Sequence, residues 1–232
     1  MKRMKNVLLA LLVGAAVFAL RAPARSGIFT KLPAGVRNFF TIDKVVTGRW
    51  QFFAACIGWV IFSLYWEATA GNSAQAQNAE SKNSRRFHVA LTNLAMLLVI
   101  LPFDGVGRFI AVSSVAMTAG VSIEALGLFL AIWARRSLGQ NWSGEISIKV
   151  EHRVVRTGPY RWLRHPIYTG LLMMYIGAAF VTGVWLAAVG VLIALLAYWR
   201  KLRLEEQSLI KAFGAQYEAY RHETWSLVPG IY

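Results

Sequence analysis

The residues of this chain best equipped for chemistry fall between Arg135 and Tyr220. The densest run, residues 151–170, reads EHRVVRTGPYRWLRHPIYTG. Beyond an uncharged stretch come Arg203-Leu204-Glu205-Glu206, then Leu209, Phe213-Gly214, Tyr217 and Tyr220. Carboxylates at Glu205 and Glu206 suit a cation, and the guanidinium groups of Arg161, Arg164 and Arg203 suit a carboxylate or phosphate. Tyr160, Trp162 and Tyr168 offer flat apolar faces, and His165 adds a group that changes charge near neutrality. Plainer readings stand beside these. The glutamate pair fits the start of a helix on macrodipole grounds, and membrane-flanking arginines meet lipid phosphate. Tyrosine and tryptophan anchor at the headgroup level, and His165 is equally a helix-entry residue bonding locally.

Outside that segment, Glu124 sits near the middle of the apolar run Phe109–Ala134. A carboxyl at such depth is costly unless it faces protein or water, so it is either functional or hydrogen-bonded to a neighbouring helix. The four histidines, His88, His152, His165 and His222, lack the HxxxH or HExxH spacing that sets two imidazoles on one helical face for zinc. Cys56 is the single cysteine, which removes an intrachain disulfide and any multi-cysteine metal site. No metal is expected. The formal net charge is +14, yet the basic residues lie scattered between apolar runs without any nucleic-acid-binding pattern. Anionic lipid headgroups, not nucleic acid, are the expected partners.

The elements that must position these groups are membrane helices. Of 232 residues, 56% are hydrophobic, and mean hydropathy is +0.46. Val7–Leu20 follows Lys2, Arg3 and Lys5 and precedes Ala22-Pro23-Ala24, which reads as a short first membrane helix or a cleaved signal. Further spans are expected at Trp50–Trp66, Val89–Phe103 and Phe109–Ala134, the last two joined by a tight turn at Asp104-Gly105-Val106-Gly107. Gly71–Ser84 reads as a flexible cytoplasmic loop. Gly170–Trp199 is uncharged over about thirty residues, roughly 45 Å of helix, too long for one untilted crossing. A break near Thr182-Gly183 would make it a hairpin. Arginines and lysines flank both ends, so the positive-inside tendency puts both on the cytoplasmic side, although the basic segment Arg21–Arg49 then falls outside. The expected fold is all-α: a polytopic bundle of about five or six transmembrane helices. Its N-terminal helices and loops occupy residues 1–108, and the chemistry-bearing membrane domain occupies 109–232.

Across about the last hundred residues the motifs run in a recognisable order. Arg135-Arg136-Ser137-Leu138-Gly139 comes first, then Gly158-Pro159-Tyr160, Arg164-His165-Pro166-Ile167-Tyr168-Thr169-Gly170, Glu205-Glu206, and Phe213-Gly214 with Tyr217 and Tyr220. In these the chain resembles the isoprenylcysteine carboxyl methyltransferase family, which is related to the phospholipid N-methyltransferases. The resemblance implies S-adenosylmethionine as cofactor and methyl transfer to a lipidic or otherwise hydrophobic acceptor at the cytoplasmic face. It implies that His165 and Tyr168 line the cofactor pocket; by residue type, Glu205 or Glu206 suits the ammonium or ribose, Tyr160 suits adenine or the interface, and Gly170 suits close backbone approach. Arg164 and Arg203 adjoin these motifs and are candidates to orient the reacting groups; Glu124 is a third catalytic candidate by position alone. A carboxylate acceptor would need no base, whereas an amine would need one from Glu124, Glu205 or His165. The N-terminus has a prokaryotic style, which suggests a bacterial inner membrane. Two rivals remain at this stage: a sterol-type membrane reductase using NADPH, and a non-catalytic lipid-binding membrane protein.

Overall fold

The computed structural model describes residues 43–70, 76–79, 81–103, 105, 107–142, 147–149 and 154–230. The expected first helix Val7–Leu20, the acidic and basic residues Glu151, His152 and Arg153, and Asp104 and Val106 of the turn lie outside them. The helices are α1 (Lys44–Thr47), α2 (Trp50–Thr69), α3 (Lys82–Ile100), α4 (Ser114–Leu138), α5 (Pro166–Thr182), α6 (Trp185–Phe213) and α7 (Ala215–Glu223). Two short strands, β1 (Ala76–Ala79) and β2 (Ser147–Lys149), pair antiparallel. Helices α2, α4 and α6 are long and apolar enough to cross a membrane, and α5 is a shorter apolar helix beside them. The chain is thus an integral membrane helical bundle.

Each span follows from its sequence, with shifted ends. The helix expected from Val89 begins at Lys82, because the Ser81 side chain caps it by accepting from Ser84 N at 3.3 Å. The one expected from Phe109 begins at Ser114, capped by Ser113 accepting from Ala116 N at 3.1 Å. The loop reading of Gly71–Ser84 needs correction. Ala76–Ala79 pairs with Ser147–Lys149, a contact between distant residues to which local polarity gives no clue, and residues 82–84 already belong to α3.

The uncharged run does break where expected. Gly183 takes φ 69° and ψ 3°, a left-handed cap that side chains with a Cβ avoid, and its N–H donates to Ala179 O at 2.8 Å. The turn is braced from outside: Arg108 Nη1 donates to Thr182 O at 2.9 Å and pairs with Asp43, which itself accepts from Val45 N and Val46 N at the start of α1. Both arms of the hairpin therefore return to the same end of the bundle. Between α4 and α5, a facing pair of glycines sets the depth of packing. A Cβ on Gly170 would stand 2.5 Å from Gly127 O, and one on Gly127 would stand 2.5 Å from Gly170 O. With no side chains between them, α4 and α5 meet backbone to backbone, the close crossing that small residues permit in lipid.

The outward faces are apolar. Phe53, Ile57, Ile61 and Leu64 on α2, and Val189, Leu192 and Leu196 on α6, are all exposed at helical spacing. Exposed tryptophans mark two levels. Trp50 and Trp185 stand at the hairpin-turn end, and Trp133, Trp162, Trp199 and Trp225 stand at the other. Along α6, Trp185 and Trp199 lie about 21 Å apart at 1.5 Å per residue, within reach of two interfacial belts.

Candidate active site

Proline at the first helical position starts α5 at Pro166, because that position has no use for an N–H. The approach to it is fixed by the C-terminal segment. Arg164 N donates to Trp225 O at 2.8 Å, His165 N donates to Ser226 O at 3.1 Å, and Trp225 N donates to Trp162 O at 3.0 Å. Thr169 Oγ1 adds a bond to Leu227 O at 2.6 Å. On the other arm, α6 runs unbroken through Arg200 to Phe213, so Glu205 and Glu206 stand well inside a helix. The sequence reading that they begin one is corrected: charge alone does not end a helix, and buried Tyr198, Leu202 and Glu206 continue one face until Gly214 stops it.

The hairpin brings the two half-motifs into contact. Arg164 Nε donates to Glu206 Oε1 at 2.8 Å, and the same guanidinium is held by Arg221 O at 2.9 Å and by Thr224 O. The His165 ring lies between the two carboxylates, with Nε2 3.3 Å from Glu206 Oε1 and Nδ1 3.6 Å from Glu205 Oε2. Tyr168 donates its hydroxyl to Glu205 Oε1 at 2.6 Å. Its ring stacks on His165 at 5.6 Å and 8°, and on Tyr198 at 5.1 Å and 27°. Burial by itself would favour a neutral imidazole. Hydrogen bonds to Glu205 and Glu206 and the charge of both outweigh it and hold the His165 pKa above its ordinary 6.5. The two carboxylates of the cluster face Arg164 and His165, and Arg221 Nε stands 3.7 Å from Glu206 Oε2 at its edge. Of the four, Glu205 is the most open, its side chain 22% exposed against 8% for Glu206, 5% for His165 and 2% for Arg164. Glu206 is thus tied into the framework, and Glu205 is the carboxylate a cationic ligand can reach.

The other expected residues are placed as follows. Tyr160 is buried beside the cluster, and its carbonyl accepts from Tyr220 Oη at 2.8 Å; burial pushes the Tyr220 phenol up to about 12, so it remains a donor. Gly170 lies one turn into α5, its Cα face filled by the Gly127 carbonyl, so the close approach it permits is helix to helix. Arg203 is exposed, its guanidinium over the Trp199 ring at 4.8 Å, outside the cluster. Glu124 is buried among α2, α4 and α5, where the glycines Gly58 and Gly177 leave it room, and neither carboxyl oxygen has a partner among the described residues. Gly177 lies about 18 Å along α5 from His165 at 1.5 Å per residue, so Glu124 is not brought to the cluster. Trp162 is exposed and Arg161 lies over it at 5.6 Å, as interfacial anchors would.

Several contributors escaped the sequence reading. The carbonyls of Arg221 and Thr224 and the strand-like tail at 225–227 carry no side-chain signature, since they act through backbone atoms. Tyr198, inside the apolar arm, has no motif around it to mark it, and it is buried against Tyr168. Arg135 was legible only as a motif residue. It is buried, donates to Thr69 O at 2.7 Å and Gly139 O at 3.0 Å, and lies 4.0 Å from the Trp142 ring centre, tying α2 to the end of α4.

The phospholipid methyltransferase family model matches residues 115–216, which contain Arg164, His165, Tyr168, Tyr198, Glu205 and Glu206. Among curated proteins, the chain is 30% identical over 118 residues to a protein-S-isoprenylcysteine O-methyltransferase of Saccharomyces cerevisiae, covering 48% of each chain. It is 31% identical over 124 residues to one from Schizosaccharomyces pombe, covering 51% of each. A probable protein-S-isoprenylcysteine O-methyltransferase of Oryza sativa subsp. indica is 28% identical over 190 residues, 78% of this chain and 96% of that one. The match spans about half the length of the two yeast proteins. The resemblance carried by the Arg-His-Pro-x-Tyr-x-Gly and Glu-Glu motifs is therefore borne out.

Proposed function

We propose that this integral membrane protein is a methyltransferase that uses S-adenosylmethionine to methylate the polar end of a lipidic acceptor. The observation that carries the reading is the joining of His165 and Tyr168 beside α5 with Glu205 and Glu206 on α6 into one hydrogen-bonded cluster, inside the stretch similar to methyltransferases. The donor set suits the cofactor: the partly open Glu205 carboxylate would take its ammonium, and the Tyr168 and His165 rings would line the site beside it. When bound, the cofactor supplies a methyl group on a sulfonium, transferred by direct displacement to a lone pair of the acceptor.

The chain's own part is positioning. Arg164 holds Glu206 and the C-terminal segment, and Glu206 and Glu205 together hold the His165 ring. Glu205 and Glu206 raise the His165 pKa, which shifts the ring toward the protonated form and away from service as a general base. Glu124 lies too far along the bundle to serve as one. A carboxylate acceptor, already ionised, suits this site better than an amine. The isoprenylcysteine named in the relatives has such a carboxylate, and the phospholipid named in the family description is the second acceptor to test.

The cluster stands at the end of the bundle where Arg85, Arg86, Arg136, Arg156, Arg161, Arg200 and Arg203 gather, which by the positive-inside tendency is the cytosolic face of the membrane. The apolar acceptor then enters from the lipid and the cofactor from the cytosol. Purified full-length protein in detergent is to be titrated with S-adenosylmethionine and with NADPH by calorimetry. It is then incubated with methyl-labelled cofactor and either N-acetyl-S-farnesylcysteine or phosphatidylethanolamine vesicles. Binding of the first cofactor with label in one lipid product is expected; binding of NADPH alone would support a reductase.

A further inference from the structure

Helices α3 and α6 meet along a polar seam beside the cluster. Arg200 Nη2 of α6 donates to Ser84 Oγ of α3 at 2.6 Å, and the guanidinium lies over the Phe87 ring at 5.4 Å. One turn further along α3, the buried His88 ring bonds the Ala197 backbone carbonyl of α6 and stands edge-on to Tyr198 at 5.4 Å and 69°. Burial, with Lys201 beside it, lowers the His88 pKa to about 4, so the imidazole is neutral. Its one N–H is used on that carbonyl, and Nδ1 keeps a lone pair. Two buried atoms of the seam thus have no hydrogen-bond partner among the described residues: His88 Nδ1, an acceptor, and Arg200 Nη1, a charged donor. The rungs that carry them, Ser84 with Arg200 and His88 with Ala197, are separated by roughly one helical turn, about 5 Å.

An orphaned buried donor and an orphaned buried acceptor are each unfavourable, and a ligand that carries the complementary pair satisfies both at once. A carboxylate meets the guanidinium, and a neutral N–H beside it meets the imidazole lone pair. A carboxylate one carbon away from an amide N–H is the end of an N-acylated or peptide-bonded amino acid. A phosphoethanolamine headgroup matches less well, because its ammonium would sit among the like charges of Arg200 and Lys201. We propose that the α3–α6 seam reads the polar end of the methyl acceptor, Arg200 Nη1 holding its carboxylate and His88 Nδ1 accepting the adjoining amide N–H. Glu205, the carboxylate assigned to the cofactor, also acts on the His88 ring, so the seam adjoins the cofactor's side. The acceptor's chain leaves along the lipid-facing side of α3 and α6, where Phe87, Val89 and Leu196 are exposed. This assignment rests on the methyltransferase reading, and it gives α3, which lies outside the residues 115–216 matched by the family model, a part in choosing the acceptor.

The test compares two acceptors in the full-length protein: N-acetyl-S-farnesylcysteine, and S-farnesylthiopropionate, which keeps the prenyl thioether and the carboxylate but has no amide. One hydrogen bond makes kcat/KM for the amide compound about tenfold higher in the wild type. In His88→Phe and His88→Gln, which leave no acceptor at the Nδ1 position, that preference falls to within about twofold. His88→Asn, whose side-chain oxygen takes the place of Nδ1, stays within about threefold of the wild-type ratio. Arg200→Met raises KM for both acceptors alike, by about tenfold or more for a lost charged contact. Calorimetric affinity for S-adenosylmethionine stays within about twofold in every variant. Equal kcat/KM for the two acceptors in the wild type overturns the amide contact, as does a His88→Phe variant that keeps the preference. Cofactor affinity that falls together with the preference marks a packing role and overturns it too. Wild-type protein that binds the cofactor but methylates neither thioether, whether or not it methylates phosphatidylethanolamine vesicles, overturns the reading of the seam alone; wild-type protein that does not bind the cofactor overturns the methyltransferase reading as well.

Discussion

Replacing Glu206 by alanine separates the two acidic residues that the sequence presents as equals. The Arg164 guanidinium is buried, its side chain 2% exposed, and Glu206 is its carboxylate partner at 2.8 Å. The substitution takes the Glu206 carboxylate away from beside the buried cation, while the carbonyls of Arg221 and Thr224 stay. Removing one partner of a buried ion pair costs about 3–5 kcal/mol. At roughly 2–4 °C per kcal/mol for a chain of this size, Tm falls by about 6–20 °C. Glu205→Ala removes a hydrogen bond from Tyr168 and a weaker contact with His165 at a more open position, which costs about 1–2 kcal/mol. Its effect is expected on the cofactor instead, with affinity down about tenfold or more for a lost charged contact. Tryptophan fluorescence of the detergent-solubilised protein gives Tm, and calorimetry gives affinity. If Glu206→Ala melts within about 2 °C of wild type, the buried pair is not what holds the C-terminal segment to α5. Equal loss of stability in both variants would likewise refute the division of roles.

Three further outcomes are expected. Gly170→Ala places a methyl group against the Gly127 carbonyl and forces α4 and α5 apart, at about 1–3 kcal/mol of stability, read as a lower Tm. Arg203→Ala, at an exposed position over Trp199, leaves cofactor affinity within about twofold and Tm nearly unchanged; a large loss of affinity would bring Arg203 into the site. His165 has a folded-state pKa raised above its unfolded value by the two glutamates, so its charged form stabilises the fold fully below pH 6.5, and that contribution fades as pH rises through the raised value. A Tm profile that loses this alkaline decline in His165→Gln checks it.

The candidate site was legible in part because most of its side chains fall in two short motifs whose chemistry is written in residue type. His165-Pro166 reads as a helix entry and is one. Glu205-Glu206 reads as a pair, yet the structure gives the two different neighbours, Tyr168 for one and Arg164 for the other, and only a long-range contact makes that difference. Arg203 and Glu124 have suitable chemistry but stand apart from the cluster. One sits on the outer face over Trp199, and the other sits deep in the bundle against Gly58, positions fixed by helix rotation and register. The backbone acceptors at Arg221 and Thr224 had no signal, because any residue type supplies a carbonyl.

By itself the sequence determined the solvent and the hairpin. Thirty uncharged residues with a Thr-Gly break and arginines at both ends admit few other arrangements in a bilayer, since hydration of charge and the cost of bare backbone decide where helices begin, cross and turn. Which groups meet across the returned arms was decided only by tertiary packing. The depth of the α4–α5 crossing at Gly127 and Gly170 and the continuous course of α6 set the rotation that turns Glu206 inward, opens Glu205, and lines up His165, Tyr168, Tyr198 and His88. Such alignments depend on contacts between residues far apart in the chain, and local composition has no term for them.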